Sequence, residues 1–295
     1  MKFGFVVLHY KVIAETKQCV ESILKSQHSQ DFCVVIVDNG SGNGTGEQLK
    51  AYFSNESKVH TILSSENLGF ARGNNLGFVY AKEKEHCDFI CLINNDTLVN
   101  QPDFISRVYD DYEKNHFAAL GPKIILKDGS VNPMMGKLPS IRKLTIHRQE
   151  IKAQLVLCRF IPGFFGMVDG LKNLYDRIRK AGKKADTTMH PELEFHSDVM
   201  LHGCCLIFSP LYIDKFDGLD DRTFLYREEQ LLYIRLLKND LKSCYDPELW
   251  IIHLEDAATN AATATPYAKR VFTLQNEVRS MGILLDELRA FYAEK

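Results

Sequence analysis

The residues best suited to chemistry stand where apolar runs end. In CLINNDTLV (91–99) a strand-like stretch delivers Asn94, Asn95 and Asp96 in succession, one carboxylate beside two amides. An oxygen-rich strand end suits a hard divalent cation that also grips a diphosphate; the same trio also suits an Asx turn. Asp38 closes FCVVIVDNG (32–40) and leads into glycines at 40, 42, 44 and 46. A carboxylate there can accept hydrogen bonds from a ribose or a base edge, with glycine permitting close approach. An Asp-Asn-Gly turn uses the same residues equally well. In ENLGFARGNNLGF (66–78), Asn67 and Gly69 fit a tight turn whose amides meet an anion, and Arg72 adds positive charge near the next helix start. A plain strand-to-helix turn with a surface Arg fits as well. Further on, Glu228 and Glu229 open the amphipathic stretch EEQLLYIRLLK. Like-charge repulsion raises the pKa of one of two such neighbours while the helix dipole opposes the rise; a pair of surface acids capping a helix is the alternative. His253 ends WIIH, where a core or surface histidine competes with a ligand.

The elements that must hold these residues follow from periodicity. FGFVVLHY (3–10), FCVVIVDNG, VHTILSS (59–65) and FICLINND (89–96) are strand-like, with amphipathic stretches near 14–26, 46–53 and 69–83 between them. Near-continuous apolar strands in a βαβαβαβ order predict a parallel sheet covered on both faces, an α/β fold. Ligands bind such sheets beyond the carboxyl ends of the strands, which predicts Asp38, the Asn67 loop and the 94–96 trio along one rim. The second half is less regular: a helix near 102–115, a strand and turn over 118–133, a strand over 202–210, a loop entering a helix over 216–240, WIIHLED (250–256), and a last helix from about 267. Between them, residues 141–184 hold eleven Lys and Arg against three acids and enclose the apolar, aromatic LVLCRFIPGFFGMVDGL. That segment predicts either a cover for an acceptor or a membrane-surface contact, since basic residues near an anionic bilayer gain about 1 kcal/mol each. A solvated helical insertion with its own small core fits too. Val271, Leu274, Val278, Met281, Leu285 and Leu288 recur at helical steps, a stripe for packing or for a homodimer through the C-terminal helix.

Composition removes other classes. The 295 residues are 45% apolar and carry a formal charge of −2, without the basic excess of a nucleic-acid binder. The eight cysteines show no Cys-x-x-Cys or zinc spacing and are expected as buried thiols of a reducing compartment. The N-terminus lacks a signal-peptide pattern, and no apolar run reaches the roughly 18 residues of a spanning helix. A cytoplasmic protein, at most peripheral to the inner face of the cell membrane, is expected. A dinucleotide oxidoreductase is disfavoured because LHYKVIAET, after the first strand, has no glycine.

In this order, FVVLHYK, VIVDNGS, ENLGFARGNNLGF and LINNDTLV resemble the N-terminal half of inverting family 2 glycosyltransferases of the GT-A fold. The branch is that of rhamnosyl- and galactofuranosyl-transferases of bacterial surface polysaccharides. LHGCCLIFSPLYIDKFDGLDDRTFLYREEQLLYIRL resembles the same family's segment from a Gly-rich strand into its Glu-Asp helix. The resemblance implies a nucleotide-sugar-binding half over 1–100, an acceptor-binding half over 101–255 with the basic insertion 141–196, and a helical segment over 256–295. It implies a UDP- or dTDP-sugar donor on His9, Tyr10, Asp38, Asn67, Gly69, Arg72, Asn74, Asn94, Asn95 and Gly203. Asp96 falls at the last position of the family's metal motif and His253 matches a histidine that reaches the metal or diphosphate, which implies Mn²⁺ or Mg²⁺. Glu229, or its neighbour Glu228, falls at the general base, which takes the proton of an acceptor hydroxyl in a single inverting displacement. The acceptor expected is a saccharide, lipid-linked, in capsule, O-antigen or related synthesis. A sugar-nucleotide nucleotidyltransferase and a non-catalytic sugar-nucleotide or glycan-binding module are the competing readings.

Overall fold

A computed structural model describes residues 1–132, 138–160, 193–254 and 265–293. The expectations for the rest of the basic segment, and for 256–264, lie outside the described residues. Among the described residues no helix is long and apolar enough to cross a membrane.

The first half alternates as predicted: β1 (Phe3–His9), α1 (Ile13–Ser26), β2 (Phe32–Asp38), α2 (Thr45–Tyr52), β3 (Val59–Leu63), α3 (Gly69–Glu83) and β4 (Phe89–Asn94). β1 pairs in parallel with β2 and β4, with His9 opposite Asp38 and Leu8 opposite Asn94. Three strands therefore end at one level. The second half comprises β5 (Thr97–Leu98), α4 (Phe104–Asn115), β6 (Ala119–Leu126), α5 (Ile141–Phe160), β7 (His196–Ser197), β8 (Cys205–Phe208), α6 (Pro210–Ile213), α7 (Glu228–Lys238), β9 (Ser243–His253) and α8 (Pro266–Ala293). All strands join one sheet in the order β3-β2-β1-β4-β8-β6-β9-β5, with β7 also on β9. β8 runs antiparallel between β4 and β6, and β9 is parallel to β6. The carboxyl end of β9 and the amino end of β8 thus reach the rim where β1, β2 and β4 end.

Alternation along the strands divides the core. Phe3, Phe5 and Val7 face α1 and α4 with Phe32, Ile36 and Phe89. Val6, Val35 and Leu92 face α3 and α7 on the other side. Gly77 lets α3 lie against β1, because a Cβ there would overlap Val6. A third core joins Leu144 and Ile151 of α5 to Leu231 and Ile234 of α7 and to Leu274, Met281, Leu285 and Leu288 of α8. The C-terminal stripe offered for a homodimer is therefore spent inside the chain: its most apolar positions meet α5 and α7 and have little surface left for a second copy. Within the insertion, α5 is a helix whose apolar face shares this core with α7 and α8. All eight cysteines are buried and free.

Candidate active site

The rim holds three groups of residues. In the first, β1 and β2 end in loops that clasp each other. His9 is fully buried, its ring nitrogens 2.7 Å from Thr16 Oγ1 and 2.8 Å from Thr45 Oγ1, and burial lowers its pKa. It braces the rim and has no surface for a ligand. Asn95 is also turned inward, its amide donating to Thr16 Oγ1 at 3.0 Å. Asp38 is buried; Oδ1 accepts from the hydroxyl and the N–H of Ser41, and Oδ2 fills the space a side chain on Gly46 would take. Tyr10 lies half-buried at the lip, with Lys11 Nζ 5.0 Å from its ring centre.

The second group is the turn after β3. Asn67 Oδ1 accepts from Gly69 N–H at 2.9 Å, and the buried Asn39 donates to Gly69 C=O at 2.9 Å while accepting from Leu68 N–H. Gly69 has a φ of 83°, and a Cβ there would collide with the Phe224 carbonyl; the next N–H, of Phe70, donates to that carbonyl at 2.7 Å. Arg72 is exposed and donates to Asp221 C=O at 3.1 Å. Asn74 is buried and donates to Phe70 C=O, so it holds α3 and faces no ligand. Asn75 does more for the site: it brackets Leu219, donating to its carbonyl at 2.9 Å and accepting from its N–H at 2.7 Å. The nucleotide-side turn is thereby tied to the loop that precedes Glu228.

The third group gathers around residues 202–204. Asp96 Oδ1 and His253 Nε2 are 3.1 Å apart, because β5 pairs Thr97 with His253. The His253 ring stands 6.3 Å from that of His202. Gly203 lies against Glu229; a Cβ there would be 2.7 Å from Oε1, and the Gly203 N–H donates to that carboxylate. The Cys204 carbonyl accepts from Asn94 N–H at 2.9 Å. Three consecutive residues therefore touch the histidine, the acid pair and the strand end in turn.

Glu228 and Glu229 differ in exposure and in partners. Glu228 is buried beside Thr223, whose hydroxyl donates to Oε1 at 2.9 Å. Burial, then the charge of Glu229, pushes its pKa up to about 7. Glu229 reaches the surface in part; burial raises its pKa too, opposed by its own N–H, Arg227 and the Gly203 N–H. Burial lowers His202 to about 4, with His253 adding to the effect, so His202 is neutral. Its Nδ1 accepts from Cys204 N–H at 3.2 Å, and its Nε2 lies 3.3 Å from Asn132 Nδ2.

A divalent cation fits Asp96 and His253. The 3.1 Å between their facing atoms matches adjacent corners of a six-coordinate shell with bonds of about 2.1 Å. The other nitrogen of His253, Nδ1, is buried with no partner, so the ring has no second bond locking its orientation. An imidazole donor favours Mn²⁺ over Mg²⁺. With two protein donors, most of the shell is left to a ligand and water. The described residues contain no group of three or more His, Cys, Asp or Glu arranged for a metal.

His202, Asn39 and Asn75 were missed in the sequence because each is one polar residue in a run whose partners lie far along the chain. The His-Gly pair before a strand was the sole signal for His202.

Residues 5–172, more than half of the chain, match the domain described as Glycosyl transferase family 2. Over 126 residues the chain is 27% identical to the low-salt glycan biosynthesis hexosyltransferase Agl10 of Haloferax volcanii, covering 43% of this chain and 38% of that protein. Over 97 residues it is 27% identical to glycosyltransferase GlyG of Streptococcus pneumoniae, covering 33% of this chain and 30% of that one. The matched segments thus span about a third of each relative's length. Residues 1–349 of S. aureus TarS superpose with a TM-score of 0.53 at 14% identity, over 86% of this chain and 60% of that one. The same fragment in complex with UDP-GlcNAc gives 0.52 at 14% identity, over 94% and 65%. At that identity the likeness is one of fold, and it meets the GT-A expectation. By the match over residues 5–172, the chain belongs to glycosyl transferase family 2.

Proposed function

We propose that the protein transfers a hexose or deoxyhexose from a UDP- or dTDP-linked donor to a saccharide hydroxyl, with inversion, in the synthesis of a surface glycan. The observation that carries this reading is the meeting, across residues 202–204, of an Asp-His pair suited to a diphosphate-bound cation with a partly exposed carboxylate held on glycine. The UDP-GlcNAc bound by a protein of the same fold supports a nucleotide-sugar donor.

Asp96 and His253 would hold Mn²⁺, which when bound neutralises charge on the departing diphosphate. Tyr10 and Asp38 border the nucleoside, and the Asn67–Gly69 turn with Arg72 lies on the diphosphate side. Glu229 takes the proton of the acceptor hydroxyl as that oxygen bonds to the anomeric carbon. The carbon–oxygen bond to the diphosphate breaks on the opposite face, and the electron pair leaves with the diphosphate. Burial and the charge of Glu229 raise the Glu228 carboxyl to about 7, so it gives up its proton less readily than an ordinary carboxyl, and Glu229 serves as the base. Gly203, lacking a side chain, leaves the room that the Glu229 carboxylate occupies. A lipid-linked acceptor suits α5, whose outer face exposes Ile146, Val156, Leu157 and Phe160 near Arg142 and Lys143.

Thermal shift and calorimetry with UDP, dTDP, GDP and NAD, with and without Mn²⁺, test the reading. UDP or dTDP with Mn²⁺ should raise the melting temperature, whereas Mn²⁺ alone should bind weakly because one formal charge faces it. Asp96→Asn should remove the Mn²⁺-dependent part. Glu229→Gln should keep donor binding and lose transfer by about a hundredfold or more. Stabilisation by NAD alone, or full transfer by both variants, would overturn the assignment.

A further inference from the structure

The chain enters α7 through a turn that no glycine relieves. Tyr226 and Arg227 have φ of 73° and 76°, so two successive L residues occupy the left-handed region directly before Glu228 and Glu229. Such a conformation persists where its surroundings over-determine it. One stripe of α8 supplies those surroundings. Thr273, Glu277 and Ser280 follow at four- and three-residue steps and share a face. Glu277 Oε2 accepts from Arg227 Nε and Nη2 at 3.1 and 2.6 Å. The Ser280 hydroxyl donates to Leu225 C=O at 2.7 Å, and the Tyr226 hydroxyl lies 3.4 Å from Thr273 Oγ1. Seven residues on, Glu287 takes Arg222 at 2.8 Å and Lys238 at 2.9 Å. On its other side the same loop is held by α3, through Phe224 and Leu219. The ion pair of Arg227 with Glu277 is the shortest of the contacts from α8 to the turn itself, and both side chains are only about one-fifth exposed.

We infer that Glu277 is a positioning residue: through Arg227 it holds the left-handed turn that sets the first turn of α7, and with it Glu229, against Gly203. The inference rests on the reading of Glu229 as the acceptor-activating base. What the turn requires is a backbone conformation rather than the charge of Arg227, and glycine adopts that conformation unaided. Loss of Glu277 should therefore be repaired by glycine at 227. Arg227 acting directly on a substrate would make the same double change worse than the single one.

The test compares Glu277→Gln, Glu277→Asp and the double variant Arg227→Gly with Glu277→Gln by steady-state kinetics, with hydrogen exchange of the amides of 225–231 as a readout that needs no activity. Far-UV circular dichroism confirms that each variant folds. Glu277→Gln should lower kcat roughly ten- to hundredfold, as a small misplacement of a catalytic group does. Donor KM and UDP affinity should stay within about twofold, because the donor side is untouched. Glu277→Asp should recover part of the rate, and the double variant should recover most of it, with its pH–rate profile moved to higher pH because the Arg227 charge no longer lowers the Glu229 carboxyl. Exchange should rise in Glu277→Gln and fall again in the double variant. Wild-type kcat in Glu277→Gln, or a double variant as slow as the single one, overturns the inference. Should the wild-type protein move sugar from no nucleotide donor, the proposed function fails. The exchange pattern then still decides the role of Glu277, and unchanged exchange in Glu277→Gln overturns it.

Discussion

Glu228 and Glu229 are neighbours in sequence, yet one is enclosed beside Thr223 and the other leans on Gly203 at the surface. That difference assigns them different work and has a measurable consequence for stability. The carboxyl of Glu228 is raised from 4.5 to about 7 in the folded chain. Between those values the folded state holds a proton that the unfolded state has released, so stability falls as pH rises through the window and levels off above it. The loss is on the order of 3 kcal/mol for a fully expressed shift. Glu228→Gln carries no such proton. It should therefore gain stability relative to wild type at pH 8 and show little gain at pH 4.5, as measured by urea denaturation. An equal effect at both pH values would mean that Glu228 is ionised in its pocket. Replacing Glu229 by Gln should bring the pKa of Glu228 down, since the charge of Glu229 is the second cause of its rise.

At the scale of elements, the turns do more than connect. Gly42 and Gly69 both have positive φ, but nothing lies near Gly42, whereas Gly69 is pressed on the Phe224 carbonyl. Gly42→Ala should cost about 1 kcal/mol for the left-handed backbone alone. Gly69→Ala should cost about 3 kcal/mol or more and weaken UDP binding, because the 217–224 loop must move away from α3. Equal costs in denaturant titrations would remove the proposed link between that turn and the loop. The same contrast explains what was legible in the sequence. Runs such as FCVVIVD announce a two-sided strand by composition, and the rule of carboxyl ends then predicts the rim bearing Asp38 and Asp96. Local spacing said nothing of His202 meeting His253, or of Asn39 reaching across to Gly69, because those contacts depend on the register of strands far apart in the chain. His9 and Asn95 stand at the rim in sequence but turn inward, His9 through the alternation of β1 and Asn95 from the turn after β4 onto Thr16. The polar stripe at 273, 277, 280 and 287 shares α8 with a stronger apolar periodicity and has no signature of its own in the sequence.

For the molecule as a whole, the two halves suggested by the sequence share one sheet. β8, from the second half, pairs with β4 over Ile90–Ile93 and with β6 on its other edge. One core cluster runs from Phe3 to Ile251. Domain boundaries fall where few contacts cross the chain, and here strands cross it. The third core is tied in by α7, which gives Leu231 and Ile234 to α8 and Leu232 and Leu236 to the sheet. Loosening α8 would therefore expose apolar surface on α7 and with it one face of the sheet. This architecture predicts a single cooperative transition despite the chain length. Trp250, the one tryptophan, sits in β9 and reports on the second half; labelling at Cys33 and Cys91, resolved from the other buried thiols by peptide mass spectrometry, reports on the first. In urea, loss of Trp250 fluorescence and thiol labelling under fast-exchange conditions should give the same midpoint and slope. UDP with Mn²⁺ should move both together, because the donor site draws Asp38 from β2 and His253 from β9. If the thiols become reactive while Trp250 fluorescence is still native, the halves unfold independently and the shared sheet is not what couples the donor loops to Glu229.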